Sequence, residues 1–242
     1  MKRIISAIVA IVCLSSMSLM AQSVMFMDQI LNPLPGHAVA LEAGVKAHNA
    51  KFHASGDATA RLFTILTGPR SGQYAWIQGP MTYATLDKPL SAEHAMDWDK
   101  NVGAHCSNNG ELRIMKRDEE RTYNPANEVI ADNYLARIFY GVTNQGQALE
   151  AIGMIKKVYE ANKIATARRV YTREFRSPDG EAIVLVYPFK SFTELEKHKG
   201  LPFDDLAKEM DKALGAGSIK KFQELMQGSN AGWYDEVRTL VK

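Results

Sequence analysis

Most of this chain alternates apolar and polar residues with the period of a strand or of a helix, and one stretch does neither. Residues 182–187 read Ala-Ile-Val-Leu-Val-Tyr, apolar without a break. A strand with one face on a core and the other in water alternates, so an unbroken run predicts a strand covered on both faces. Residues 170–175 before it are rich in β-formers, and Ser177-Pro178-Asp179-Gly180 has turn chemistry, which together predict a hairpin. A second hairpin is expected from 62–67 and 73–78 around Gly68-Pro69-Arg70-Ser71-Gly72. Leu41, Val45, His48 and Phe52 fall on one face of a helix, and Leu149, Ile152, Ile155 and Tyr159 repeat that stripe. Further strands are predicted at 24–31, 111–117, 134–140 and 233–241. Further helices are predicted from Ser91, a capping residue, to about Cys106, and over 203–227 with Gly215-Ala216-Gly217 dividing it. Residues 107–110, Ser-Asn-Asn-Gly, are expected to break the first of these.

The hairpins are in register with each other. A shift of 108 positions, from Gly72 to Gly180, also lays Arg61 on Arg169, Thr64 on Thr172 and Pro80 on Pro188. The same shift lays Ala40-Leu41-Glu42-Ala43 on Ala148-Leu149-Glu150-Ala151. Self-similarity at a fixed offset predicts a tandem duplication. Each copy runs β-α-β-β-α-β, the order of ferredoxin-like units. The expected division is residues 22–125 and 126–242, with Asn124-Pro125-Ala126-Asn127 as the linker. Helices cover one face of each sheet, and the most economical cover for the other is the partner sheet. The predicted fold class is therefore α+β, two ferredoxin-like repeats packed sheet to sheet as an intrachain barrel.

This doubled order, with the spacing Gly72 to Pro80 repeated from Gly180 to Pro188, resembles the dimeric α+β barrel superfamily and looks most like its NIPSNAP-like branch. The resemblance covers about residues 23–242. It implies relatives that include cofactor-independent oxygenases, haem-degrading enzymes, small-molecule isomerases and proteins with no known chemistry. Fold alone does not choose among them. Two function classes stay open: a non-catalytic module that binds a small ligand or a partner, and an oxygenase or haem-handling enzyme. The first needs no cofactor, and haem is the cofactor that the second implies.

Residues 1–21 change the picture of where the protein works. Lys2 and Arg3 precede an apolar run over 4–14, and Ser15, Ser16, Ser18 and Ala21 follow. That is the three-part pattern of a secretory signal peptide, with cleavage expected after Ala21 and a periplasmic or secreted product. The apolar run is short for a membrane span of about 20 residues. Losing Lys2 and Arg3 from 29 basic residues leaves 27 against 27 acidic ones. No basic surplus remains, so nucleic acid is not an expected partner. Of the two cysteines, Cys13 lies in the signal peptide, and Cys106 remains alone.

Neither a G-x-S-x-G elbow, a phosphate-binding loop, H-E-x-x-H nor C-x-x-C occurs. His94 and His105 are eleven residues apart, about 16 Å along a helix at about 1.5 Å per residue, too far to share a metal. His48 stands inside an apolar stripe and reads as a boundary histidine, a haem ligand or a general base. No function is read for His37, His53 or His198, Cys106 reads as a core residue, and no metal site is expected. The candidate ligand-binding set comes from the strands. Ile183, Leu185 and Tyr187 are expected to face helices, with Ala182, Val184 and Val186 facing the partner sheet. At a shift of 108 their counterparts are Tyr74, Trp76 and Gln78, large where the other copy is small. Gln29 and Arg137 correspond on the first strands, and a buried arginine needs an acidic or ligand partner. Glu174 and Arg113 are candidates for that partner or for lining the same space. The expected site is an intersheet pocket walled by Tyr74 and Trp76, with Gln29, Gln78, Arg137 and Glu174 as polar groups, holding an anionic or carbonyl-bearing small molecule.

Overall fold

The computed structural model describes residues 24–125, 131–175, 180, 182–197 and 203–242. The predicted signal peptide, linker residues 126 and 127, turn residues 177–179 and His198 lie outside the described residues. The first half comprises β1 (Met25–Pro33), α1 (Ala38–Phe52), β2 (Ala60–Ile65), β3 (Tyr74–Met81), the single-turn α2 (Tyr83–Leu86), α3 (Ala92–Asn101) and β4 (Cys106–Arg117). The second comprises β5 (Asn133–Tyr140), α4 (Gln145–Ala161), β6 (Arg169–Arg173), β7 (Ile183–Phe189), α5 (Phe192–Lys197), α6 (Phe203–Leu214), α7 (Ser218–Ser229) and β8 (Gly232–Leu240). One predicted boundary moves. Val102 drops into the core after α3, a turn of 3-10 helix follows at Gly103–His105, and Cys106 opens β4. Residues 107–110 belong to that strand and do not break the chain.

The strands close into a barrel in the order β1-β3-β2-β8-β5-β7-β6-β4, with antiparallel neighbours throughout. Each half supplies four neighbouring strands in the same relative order, β4-β1-β3-β2 and β8-β5-β7-β6. The halves join at β2–β8, where Phe63 lies opposite Leu240, and at β4–β6, where Met115 lies opposite Arg173. Closure removes the unpaired strand edges that either sheet would otherwise expose.

Alternation then sorts side chains into two layers. Outward-facing Leu31, Leu62, Tyr74 and Trp76 pack with Leu41 and Val45 of α1. Outward-facing Val170, Ile183 and Leu185 pack with Ala148 and Ile152 of α4. Inward-facing Ile30, Phe63, Ile65 and Ala75 meet Tyr134, Ala136 and Ile138 in the lumen, with Val184 and Val186 against them. The apolar run of β7 is therefore covered on both faces, for the reason its pattern implies.

The same alternation overturns the expected facing of β3. Gln29 and Leu62 lie opposite Trp76, whereas Arg137 and Val170 lie opposite Leu185. Gln29 to Arg137 and Leu62 to Val170 keep the offset of 108, but Trp76 to Leu185 is one residue longer. The second hairpin carries that extra residue, and a one-residue slip moves a whole strand's side chains to the other face. Trp76 thus corresponds to Leu185 and faces a helix. Tyr74 and Gln78 share its face of the strand, and Ala182 packs beneath α4 as well.

α1 and α3 lie close together because Gly44 has no side chain. A Cβ there would sit 1.8 Å from the Asn101 carbonyl oxygen. That contact brings the start of α3 over the end of α1, and it positions the histidines described below.

Candidate functional site

The lumen holds a buried ion network. Arg113 on β4 donates to Asp28 on β1 at 2.8 Å, and Arg238 on β8 reaches the same oxygen at 3.3 Å. Arg238 also forks onto Glu236 at 2.8 and 3.0 Å, and Arg70 from the β2–β3 loop donates to Glu236 at 2.6 Å. Burial alone would raise the Asp28 carboxyl. Arg238, Arg113 and Arg70 more than offset it and bring it down to about 2. The Tyr134 phenol, 3.4 Å from Arg238, is pushed up to about 12 by burial. Neither group can exchange a proton readily near neutral pH.

Beside this network lies a cavity of about 90 Å³. Phe26, Phe63, Tyr134 and Tyr171 supply much of its apolar wall, and its charged lining is Arg61, Arg169, Arg238 and Asp28. Of these guanidinium groups, Arg238 is held by Asp28 and Glu236, and Arg169 has partners of its own. Arg61 has no ion-pair partner among the described residues.

Outside the barrel wall, beneath α1 and α3, three imidazoles converge. His48 lies on α1, His53 just past its end, and His94 in the first turn of α3, its amide capped by Ser91 Oγ at 3.1 Å. His94 Nε2 is 3.1 Å from His48 Nε2 and 3.0 Å from His53 Nε2. His48 Nδ1 lies 2.7 Å from an Asp97 carboxylate oxygen, and His53 Nδ1 lies 2.7 Å from the Ala58 carbonyl oxygen. Phe52, Trp76 and Trp98 pack edge-on or tilted against these rings. Burial lowers His53 to about 4 against the pull of the Ala58 carbonyl, and burial beside His48 lowers His94.

The predicted site residues do not meet between the sheets. The Tyr74 hydroxyl donates to Glu42 of α1 at 2.6 Å, and Trp76 Nε1 donates to Asn49 of α1 at 2.9 Å. Gln29 shares the outward face of β1 with Met27 and Leu31, and Gln78 shares that of β3 with Trp76. Arg137 also points outward. It forks onto Asp235 at 2.9 and 2.8 Å and stacks 4.2 Å from the Trp233 ring, so its partner is not Glu174. Glu174, just past β6, accepts instead from the Tyr83 hydroxyl. Arg113 is the one named candidate that the lumen holds. Missed altogether were Asp28, Arg61, Arg169 and Arg238, although Arg61 and Arg169 were already matched by the 108-residue shift. His105 belongs to a separate pair, its Nδ1 3.1 Å from His37 Nδ1.

No family model matches the chain, and no curated protein sequence matches it. Among solved structures, an anthrone oxidase-like protein is similar over 91% of this chain and 92% of its own, at 14% identity and a TM-score of 0.55. A proposed monooxygenase from Fusobacterium nucleatum aligns over 92% and 94%, at 11% identity and a TM-score of 0.53. A chlorite dismutase variant from Candidatus Nitrospira defluvii aligns over 93% of each chain, at 11% identity and a TM-score of 0.51. These proteins share the fold of this chain, an α+β barrel. Neither the lumen cavity nor the histidine cluster fits haem. The lumen cavity is smaller than the ~150 Å³ that houses a benzene, and Trp76, Trp98 and Phe52 occupy the space around the three histidines.

Proposed function

We propose that this chain is an exported barrel that holds a small organic anion in its lumen. The observation that carries the reading is the cavity lining, in which Arg61, with no ion-pair partner among the described residues, stands with Arg169 and Arg238 on an otherwise largely apolar wall. Pockets for small molecules combine an apolar wall with a few placed polar groups, and a guanidinium without an ion-pair partner at that wall favours a negative guest. The volume favours a short carboxylate over anything as large as a cofactor. Thermal melting of the mature chain with short mono- and dicarboxylates, followed by calorimetric titration of those that stabilise it, tests this. At least one is expected to bind one-to-one, and Arg61→Gln to weaken it about tenfold, the loss of a charge-assisted hydrogen bond. A panel without a stabilising anion, or an affinity unchanged in Arg61→Gln, would defeat the reading.

A second reading, an oxygenase acting on such a molecule, draws support from the fold shared with an anthrone oxidase-like protein and a proposed monooxygenase. The lumen favours binding over acid–base catalysis, since Asp28 titrates far below neutrality and Tyr134 far above it. An oxygen electrode separates the two, because uptake dependent on the bound anion belongs only to the oxygenase. Adding haemin is expected to leave its absorption spectrum unchanged. Export rests on the pattern of residues 1–21, and the native product is expected to begin near Gln22. The shared strand order of the two halves supports their origin by duplication.

A further inference from the structure

Proton bookkeeping in the histidine cluster does not close. A carbonyl oxygen only accepts, so His53 Nδ1, 2.7 Å from the Ala58 oxygen, carries the hydrogen. His48 Nδ1 likewise donates to the Asp97 carboxylate at 2.7 Å. Each neutral ring therefore presents a bare lone pair at Nε2. Both lone pairs point at one atom, His94 Nε2, at 3.1 and 3.0 Å. With a proton on that atom, one hydrogen serves two acceptors, and His94 Nδ1 is left a buried acceptor with no partner. With the proton on Nδ1, three lone pairs meet with nothing between them. The cluster lacks a positive charge at its centre in either tautomer.

We propose that His48, His53 and His94 form a three-histidine site for a divalent cation of the zinc type, separate from the lumen. Ligand atoms of the three lie within 4.8 Å of one another. A metal bound to each nitrogen at about 2.0–2.1 Å in tetrahedral geometry spaces the nitrogens about 3.3 Å apart, a few tenths from the two distances to His94 Nε2. The ring centroids, 4.7, 5.1 and 5.2 Å apart, form a nearly even triangle. Asp97 and the Ala58 carbonyl orient two of the ligands through their far nitrogens, the support that metal-binding imidazoles commonly have. Neutral imidazoles without thiolate suit zinc, copper, nickel or cobalt, and oxygen-seeking magnesium and calcium are disfavoured. Three protein ligands leave a fourth position for water or an exogenous ligand.

The test uses the mature chain with zinc or cobalt chloride and a competing chromogenic chelator. One equivalent of zinc is expected to transfer from the chelator and raise the melting temperature, and cobalt is expected to give the visible bands of a four-coordinate ion. His94→Ala, at the start of a helix and not fully buried, is expected to abolish both signals. Asp97→Asn, a positioning change, is expected to weaken zinc about 10–100-fold. His105→Ala removes the separate His37–His105 pair and is expected to change nothing. Far-UV circular dichroism establishes that each variant is folded. Failure to take one equivalent from the chelator, retention of binding in folded His94→Ala, or loss in His105→Ala would each overturn the assignment. None of these results depends on the lumen ligand.

Discussion

Within the barrel, Asp28 and Glu236 are gripped by Arg70, Arg113 and Arg238, and two further guanidinium groups face the cavity beside them. Beneath α1, three imidazoles turn lone pairs toward a common centre. The first region has one guanidinium, Arg61, without an ion-pair partner among the described residues, and the second has donor hydrogens missing, so their imbalances have opposite sign. Burial is what makes each imbalance consequential, because an unmatched polar group that water cannot reach is costly. The corresponding layer under α4 shows the alternative. There Arg168 donates to the Ile152 carbonyl at 2.7 Å and sits 5.3 Å from the Tyr159 ring, while Lys156, the counterpart of His48 at a shift of 108, pairs with Glu160 at the helix surface. Two halves with one strand order thus settle their buried polar groups in different ways. The near balance of 29 basic and 27 acidic residues in the sequence conceals all of it.

Breaking the lumen network should have the largest effect. Arg238→Ala strands Asp28 and Glu236 without their shared cation and is expected to cost about 5 kcal/mol, read from urea unfolding. A cost below about 1 kcal/mol would mean that the network does not hold β8 to β1. Trp76→Ala sharpens the distinction between inner and outer layers. It empties space beneath α1 and is expected to cost about 3 kcal/mol, while anion affinity in the lumen stays unchanged. A folded variant that lost anion binding would put Trp76 inside.

Acid offers a smaller and more specific probe. The folded Asp28 carboxyl titrates at about 2, below its ordinary 3.8, so its contribution is complete above about pH 4 and disappears as pH falls toward 2. That contribution is about 2 kcal/mol, and Asp28→Asn should remove this part of the acid dependence in chemical denaturation at stepped pH. The smallest effect belongs to Arg137. Its pair with Asp235 is about one-third exposed on each side, and Arg137→Ala should cost less than about 1 kcal/mol with no change in anion affinity.

The element order was legible because local patterns carry it: the stripes of α1 and α4, the unbroken run of β7, and the glycine break between α6 and α7. Burial of β7 on both faces also followed from its lack of alternation. Which side chains share the lumen was not legible from the offset alone. A single added residue in the second hairpin leaves the apolar character of β7 intact but reverses its parity relative to β3, and Trp76 was assigned to the wrong layer. Charged lumen residues were missed for a related reason. Asp28 lies between Met27 and Gln29 and Arg238 between Val237 and Thr239, so neither strand alternates clearly enough to show which face barrel closure turns inward. The histidines escaped because His48 and His53 are five apart and His94 comes from another helix, so no short ligand spacing links them. Contact between α1 and α3 at Gly44 creates the cluster.

The central claim, that the lumen is an anion site, is tested most directly by anomalous diffraction from crystals of residues 22–242 soaked in bromide. The account predicts a bromide peak inside the barrel within reach of the Arg61 and Arg169 guanidinium groups, and its loss in Arg61→Gln. Bromide confined to the outer surface, with the lumen closed by side chains, would contradict it.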